Sequence, residues 1–395
     1  MRKVYLDHFA TTPLLPEVRQ SMEPYFGNAF GNPSCLHNWG DTARQAVETA
    51  RNQVARLIGA DVGEIIFTSS GTESNNLAIK GLALAQQNKG KHVVVSDIEH
   101  FSVLHSANTL EKWGFELSLV PVDGHGLVDP EDVRRRLRKD TVLVSIMHAN
   151  SEVGTLEPVK EISKITREAG VVFHTDAVAT AGTIPVDVKE LGADALSLAG
   201  NQFYGPKGVG ALWLKKGVRL IPLLDGGVQE GGRRSGTENV PAIVGLGKAA
   251  ELAAADMSAR IEHLTHLRNR LLKELPAKII HVVVTGHPQQ RLPGNASFCV
   301  EFIEGESMLM LLDNKGVAVT SGSACTSRAL KASHVLIAMG IPHELAQSSL
   351  LFGFGIGNSD DDVDYVLEEL PLIVDRLRQM SPLYAKFLKT DKGGK

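Results

Sequence analysis

The chain has 395 residues, of which 43% are hydrophobic and 22% charged, a balance that suits a soluble globular protein and excludes a disordered one. Lys and Arg number 41 against 45 Asp and Glu, a net charge of -4, so no global field draws in nucleic acid or an anionic membrane. No apolar run approaches the roughly 20 residues that span a bilayer. The chain reaches Asp7 before a signal-peptide core can form, and three cysteines spread along it make a disulfide framework a poor expectation. A cytoplasmic protein is expected.

Between residues 41 and 58, Ala43, Val47, Ala50, Val54 and Leu57 recur at spacings of four and three. This predicts a helix with one apolar face and Asp41 as its N-cap. Phe67-Thr68 ends a short strand that runs into Ser69-Ser70-Gly71-Thr72-Glu73-Ser74-Asn75-Asn76, with a helix expected from Leu77. Backbone N–H groups at that helix start, with the Thr72 hydroxyl, suit a phosphate; an ordinary capped helix has the same pattern. No Walker lysine is present, so a nucleoside triphosphate site is not supported.

The runs 92–96, 141–147, 171–173, 195–198 and 210–214 are apolar on both faces and separated by helix-length segments. They predict buried, mostly parallel strands of a doubly wound α/β domain over about the first 250 residues. Three polar residues follow such strands: His100, Asn150 and Asp176. In open α/β sheets ligands bind at strand ends. There Asp176 suits a protonated ring nitrogen, His100 a stacked ring or a proton shuttle, and Asn150 a ring substituent. Helix capping and structural hydrogen bonding are the competing accounts. Gly226–Gly232 and Arg233-Arg234-Ser235-Gly236-Thr237 then form a glycine-rich cationic loop suited to a phosphate or carboxylate, or simply a flexible surface loop.

From Ile261, Leu264, Leu267 and Leu271 a long helix leads into an α+β region, with turns at 286–288 and 293–295 and helices near 333–340 and 361–378. The tail from Thr390 to Lys395 is short, charged and expected to lack order. Cys325 lies among small polar residues in Ser321-Gly322-Ser323-Ala324-Cys325-Thr326-Ser327-Arg328, a setting for a thiolate nucleophile or persulfide carrier. Cys299 reads as a buried strand residue, Cys35 gives no clear signal, and zinc-ligand spacing is absent.

These motifs together resemble the NifS/IscS-like cysteine desulfurases, within the aminotransferase class V group of fold-type I pyridoxal phosphate enzymes. The resemblance runs from Tyr5-Leu6-Asp7 and Ala10-Thr11-Thr12-Pro13 through Glu99-His100, Met147-His148-Ala149-Asn150 and His174-Thr175-Asp176-Ala177. It continues through Tyr204-Gly205-Pro206-Lys207-Gly208, Arg234–Asn239 and Gly322–Cys325 to Ser333-His334-Val335-Leu336. It implies an α/β fold with a mostly parallel, seven-stranded-type sheet in a large domain (13–255) and a smaller α+β domain (1–12 and 256–395) carrying the Cys325 loop. By the same resemblance Gly71 and Thr72 bind the cofactor phosphate, and Thr237 reaches it from the partner subunit of a homodimer. His100 stacks on the pyridine ring, Asp176 pairs with its nitrogen, and Asn150 contacts the ring oxygen. Cys325 takes sulfur from L-cysteine as a persulfide, leaving alanine, and passes it to an iron–sulfur scaffold protein or another acceptor.

The pattern breaks in one place. The family reads Ser-Ala-His-Lys-Phe-Tyr-Gly-Pro-Lys-Gly around its Schiff-base lysine, and this chain reads Ala199-Gly200-Asn201-Gln202-Phe203-Tyr204-Gly205-Pro206-Lys207-Gly208. Gln202 cannot form an imine or act as the general base. Ala179 replaces a glutamine, and Leu351 replaces the carboxylate-binding arginine, a contact worth about 1.5–3 kcal/mol. His8-Phe9 stands where Asn-Ala is usual. The chain is similar to a lysine-lacking archaeal subgroup with a leucine at the arginine position. The resemblance implies cysteine desulfurase-type sulfur transfer, weakened, with pyridoxal 5'-phosphate held noncovalently. The alternative is a non-enzymatic sulfur carrier or scaffold partner, in which Cys325 accepts sulfur or ligates a [2Fe-2S] cluster shared with that partner.

Overall fold

Twelve strands order the described residues: β1 (Val4–Tyr5), β2 (Ile65–Thr68), β3 (His92–Ser96), β4 (Glu116–Val120), β5 (Thr141–Ser145), β6 (Val172–Asp176), β7 (Ala195–Ala199), β8 (Gly210–Leu214), β9 (Val282–Val284), β10 (Asn295–Val300), β11 (Val317–Ala318) and β12 (Ser349–Gly353). The computed structural model describes residues 2–322 and 332–392. Seven strands form one sheet in the order β2-β8-β7-β6-β5-β3-β4. β8 runs antiparallel to both β2 and β7, and the other pairings are parallel. Every residue of β2, β3, β5, β7 and β8 is buried, which explains why these strands read as unbroken apolar runs. The sheet edge β4 carries exposed Glu116 and Leu119 and gives no such run.

Helices begin earlier than their apolar periodicity suggests. The first long helix is Asn38–Leu57, and its N-cap is His37, whose Nδ1 accepts the Gly40 N–H at 3.2 Å. Asp41 therefore lies inside the first turn, paired with Arg44, and is not the cap. The helix expected from Leu77 starts at Gly71 and runs to Gln86, capped by Ser70, whose Oγ accepts the Glu73 N–H at 3.1 Å. Its first turn is the polar stretch that periodicity cannot register, because a cap satisfies backbone donors rather than burying a face.

The helix marked by Ile261 to Leu271 is Val240–Lys278, 39 residues long. Val240 to Ala253 enter a core that also holds Val47, Phe173 and Leu198. Leu264 to Leu275 enter a second core with Phe298, Phe352, Leu370 and, from the start of the chain, Val4 and Leu6. Beside that core, β10 pairs antiparallel with β9 and β12, while β1 and β11 form a separate parallel pair. The chain then forms Asp360–Met380 and Pro382–Lys392. The tail expected to lack order is thus helical as far as Lys392, with residues 393–395 outside the described residues.

Candidate active site

Parallel pairing brings the C-terminal ends of β3, β5, β6 and β7 to one edge, with Val95 opposite Ser145, Ser145 opposite His174 and Asp176 opposite Ser197. The loops leaving that edge enclose a cavity of about 340 Å³. Gly71, Thr72, His100, Asn150 and Asp176 all line it, so the sheet brings together five residues selected from scattered motifs. Thr237 does not; it is exposed on the loop that precedes Val240. Cys325 lies outside the described residues, between Gly322 and Ser333.

Asp176 ends β6 and is buried. Its Oδ1 accepts the Val178 N–H at 2.9 Å, and its Oδ2 accepts from Asn75 Nδ2 at 2.6 Å. Burial raises its carboxyl above the ordinary range, opposed by His100 and these two donors. Asn75 also donates to Ser102 Oγ at 2.8 Å, and Ser102 Oγ lies 2.6 Å from His100 Nδ1. The Ser102 N–H donates to the same ring nitrogen at 3.1 Å. Nδ1 is therefore an acceptor, and the neutral ring carries its proton on Nε2. Asn75 and Ser102 were absent from the sequence expectations. Asn75 lies one helical turn after Gly71 on the cavity side, a spacing that could have identified it.

The helix start at Gly71 sits close against the turn after Asp176: a Cβ there would stand 2.6 Å from Val178 Cγ2. Glu73 N–H is taken by Ser70 Oγ and Ser74 N–H by Ser70 O. The N–H groups of Gly71 and Thr72 remain as the helix's leading donors, at its positive end. The nearby Arg234 holds Glu73, with Nε 2.8 Å from Oε1, so its guanidinium is engaged by a protein carboxylate rather than a phosphate.

Asn150 lines the cavity, but its amide organises its own loop. Oδ1 accepts from Glu152 N–H at 2.9 Å and Val153 N–H at 3.1 Å, while Nδ2 donates to Ile98 O at 3.0 Å. A ring-oxygen contact from that amide would use its second hydrogen, which otherwise meets only Met147 Sδ at 3.6 Å. Ser151, the next residue on the same wall, was not among the expected site residues. Glu99 is fully buried; Oε1 accepts from Ser96 Oγ and Met147 N–H, and Oε2 has no partner among the described residues. Burial pushes this carboxyl up to about 8.

The altered positions converge here as well. Ala179, Ala199, Asn201, Gln202 and Leu351 all line the cavity. Gln202 Nε2 donates to Phe9 O at 3.1 Å, and Leu351 is buried on β12. No lysine or arginine is among the described lining residues, whereas Asp7, Glu99, Glu152 and Asp176 are. Lys207 is exposed and stands outside the cavity.

Residues 4–366 match the family model described as Aminotransferase class-V. The chain belongs to the aminotransferase class-V family. It is 51% identical over 381 residues to the cysteine desulfurase IscS of Dictyoglomus turgidum, covering 96% of this chain and 97% of that one. It is likewise 51% identical over 389 residues to the cysteine desulfurase IscS of Methanosarcina thermophila, covering 98% and 96%. Among solved structures, a NifS-like protein superposes with a TM-score of 0.89 at 35% identity, over 95% of this chain and all of that one (100%). The fold-type I architecture expected from the motifs is thereby borne out.

Pyridoxal phosphate is the cofactor this family implies, and the cavity's residues fit it on two counts. A buried carboxylate at a strand end, met by Asn75 and Val178 N–H and by no cation within ion-pair distance among the described residues, matches a protonated ring nitrogen. The leading amides of the helix at Gly71 match the phosphate. The fit is noncovalent, because the described lining offers no amine.

Proposed function

We propose that this chain is a cysteine desulfurase of iron–sulfur cluster biogenesis that holds pyridoxal phosphate without a covalent tether. Sulfur leaves the Cβ of L-cysteine and joins the Cys325 thiol as a persulfide. The remaining carbon skeleton gains the hydrogen it needs and departs as alanine, so atoms and electrons balance without an external oxidant. The observation that carries this reading is the continuous chain Asp176–Asn75–Ser102–His100 beside the helix start at Gly71.

When bound, pyridoxal phosphate supplies the aldehyde that engages the substrate amine and the ring that accepts electron density from its α-carbon. Asp176 keeps a proton on the ring nitrogen, and Asn75 holds that carboxylate in place. Gly71 and Thr72 take the phosphate through the helix terminus. His100, which lines the cavity, would by resemblance stack on the ring. Gln202 has no amine to exchange with the substrate or to relay the α-proton, and Leu351 offers no charge to the substrate carboxylate. Both losses slow the reaction while leaving its frame in place.

A homodimer in which Thr237 of each subunit completes the other's phosphate site suits the exposure of this residue away from its own cavity. An iron–sulfur scaffold protein or another thiol acceptor then takes the persulfide sulfur. Among the described residues no helix is long and apolar enough to cross a membrane, and a cytoplasmic site of action accords with this. The absence of any lysine or arginine from the described lining favours one alternative: a sulfur carrier or cluster partner that uses Cys325 without turnover.

The test is single-turnover alanine release from L-cysteine by protein supplied with pyridoxal phosphate, beside Gln202→Lys and Cys325→Ala. Alanine from the parent, lost in Cys325→Ala, is the expected result. No alanine from the parent but some from Gln202→Lys would replace the enzymatic reading with the carrier.

A further inference from the structure

Asp7 lines the cavity, and its backbone is held from two directions. It bridges Gly353 at the end of β12, where the Gly353 N–H donates to Leu6 O at 2.6 Å and the His8 N–H to Gly353 O at 3.2 Å. Its own carbonyl accepts from the Ala10 N–H and the Tyr5 hydroxyl, each at 3.1 Å. The residues that follow are tied to the turn after β7. Gln202 Nε2 donates to Phe9 O at 3.1 Å, the Thr12 N–H and Oγ1 donate to Asn201 O at 2.9 and 3.0 Å, and the Tyr204 N–H donates to Thr12 Oγ1 at 2.8 Å. One short segment thus ties Asp7 to both altered walls of the cavity, that of Leu351 on β12 and that of Gln202.

The Asp7 side chain takes no part in this lacing. Its Oδ1 is buried and has no hydrogen-bond partner among the described residues. Buried polar atoms are nearly always paired, so a carboxyl oxygen left without a donor beside a cavity suits a transient partner better than a structural one. The other ionisable groups of the lining are committed elsewhere. Asp176 accepts from Asn75 and Val178, and Glu152 accepts from Ser333. The Nδ1 lone pair of His100 is taken by the Ser102 N–H, and burial keeps a proton on Glu99 up to about pH 8.

We propose that Asp7 is the acid–base group of this site, its unpaired Oδ1 taking the α-proton of the bound amino acid in place of the amine that Gln202 lacks. Oδ1 gains the proton while the C–H electron pair stays with the substrate carbon. The proton returns to the carbon skeleton before it departs as alanine, so Asp7 ends the cycle as it began. Burial pushes this carboxyl up to about 6. It is therefore ionised at neutral pH yet basic enough to hold a proton, the balance that general base catalysis requires. The inference rests on the desulfurase reading for its reaction, but its test does not involve Cys325.

The first readout needs no cofactor. A carboxyl raised by burial gives stability that is present at low pH and lost as pH rises through about 6. Asp7→Asn should therefore melt no lower than the parent at neutral pH. A lower melting temperature, or a variant that does not fold, would mark a structural carboxylate and overturn the proposal. The second readout is exchange of the α-hydrogen of L-alanine in deuterium oxide, followed by proton NMR with full-length protein and pyridoxal phosphate and corrected for the cofactor alone. Asp7→Asn should lower this rate about a hundredfold or more. The parent's rate should rise with pH through about 6, and the rise should be absent from the variant. Titration of Glu99, His100, Glu152, Asp176 or His334 in the lining, or of Tyr5 and His8 beside Asp7, would persist in Asp7→Asn. No exchange by the parent, or a rate and profile unchanged in Asp7→Asn, would also overturn the proposal. Exchange that depends on Asp7, without alanine release from L-cysteine, would count against the desulfurase reading and leave this one standing.

Discussion

Asn75 Nδ2 lies 2.6 Å from Asp176 Oδ2, joining the first helix after β2 to the end of β6 across the floor of the cavity. The pair is more than a strut. Its donor favours the ionised carboxylate that a ring nitrogen requires, against a burial that favours the neutral acid. Asn75→Ala should therefore weaken pyridoxal phosphate binding about tenfold, the lower range for a hydrogen bond to a charged group. Asp176→Ala should weaken it further. Titration of protein fluorescence with the cofactor reads both, and an affinity unmoved in Asn75→Ala would show that the amide only braces the helix.

The missing amine can be restored. Gln202→Lys places an amine on the cavity wall that now carries the amide donating to Phe9 O. After borohydride reduction and denaturation, cofactor mass should stay attached to Gln202→Lys and not to the parent. Retention by the parent would mean that another lysine serves, contrary to the described lining.

Leu351→Arg tests the second altered position. The side chain lines the cavity from β12, and a guanidinium there should lower the L-cysteine concentration for half-maximal alanine release by about tenfold or more. The effect is expected in KM rather than kcat, since ground and transition states share the carboxylate.

Buried Glu99 sets the sign of a pH dependence. Its carboxyl, at about 8 when folded against 4.5 ordinarily, keeps a proton that the unfolded chain loses between those values. Stability from this group therefore falls as pH rises through that window, by at most about 1.4 kcal/mol per pH unit. His148 and His174 act oppositely: held neutral by burial, at about 4 and about 3, they give stability that is lost as pH falls below 6.5. Above 6.5 the histidine contribution ends, and the slope comes from carboxyls that burial keeps protonated, Glu99 and Glu157 among them. The melting temperature should decline from pH 6.5 to 8.5, and more gently in Glu99→Gln. Equal slopes in both proteins would remove Glu99 as the cause.

Arg51 and Glu230 form a two-bonded pair, at 2.6 and 2.9 Å, and the Phe67 N–H also donates to Glu230 at 2.9 Å. Arg51→Met would leave that buried carboxylate without its cation, at a cost of about 3–5 kcal/mol. Chemical denaturation reads the loss, which should be much smaller in Arg51→Met with Glu230→Gln.

Much of this fold was legible in the sequence, for reasons that differ by element. β3, β5, β7 and β8 announced themselves because strands covered on both faces contain little but apolar residues. β4 did not, since at the sheet edge it is only partly covered and keeps Glu116 and Leu119 in solvent. Helix starts at Asn38 and Gly71 were placed late, because His37 and Ser70 act through single hydrogen bonds that periodicity does not see. Asp176 and His100 were found from their place after strands, whereas Asn75 and Ser102, which connect them, look like ordinary helix residues until the helix is packed. Asn150 shows the opposite case: the motif marked it, and its amide proves engaged with Ile98, Glu152 and Val153.

Val4 and Leu6 are buried among residues that arrive hundreds of positions later, from Leu264 to Val374. The buried residues of the first core run from Val18 to Ala253. During synthesis, then, the sheet and its helices can close while the ribosome is still at work, but the opening strand must wait without its neighbours until the final helices emerge. Its two residues, Val4 and Tyr5, offer little edge for a stray chain to join in the meantime.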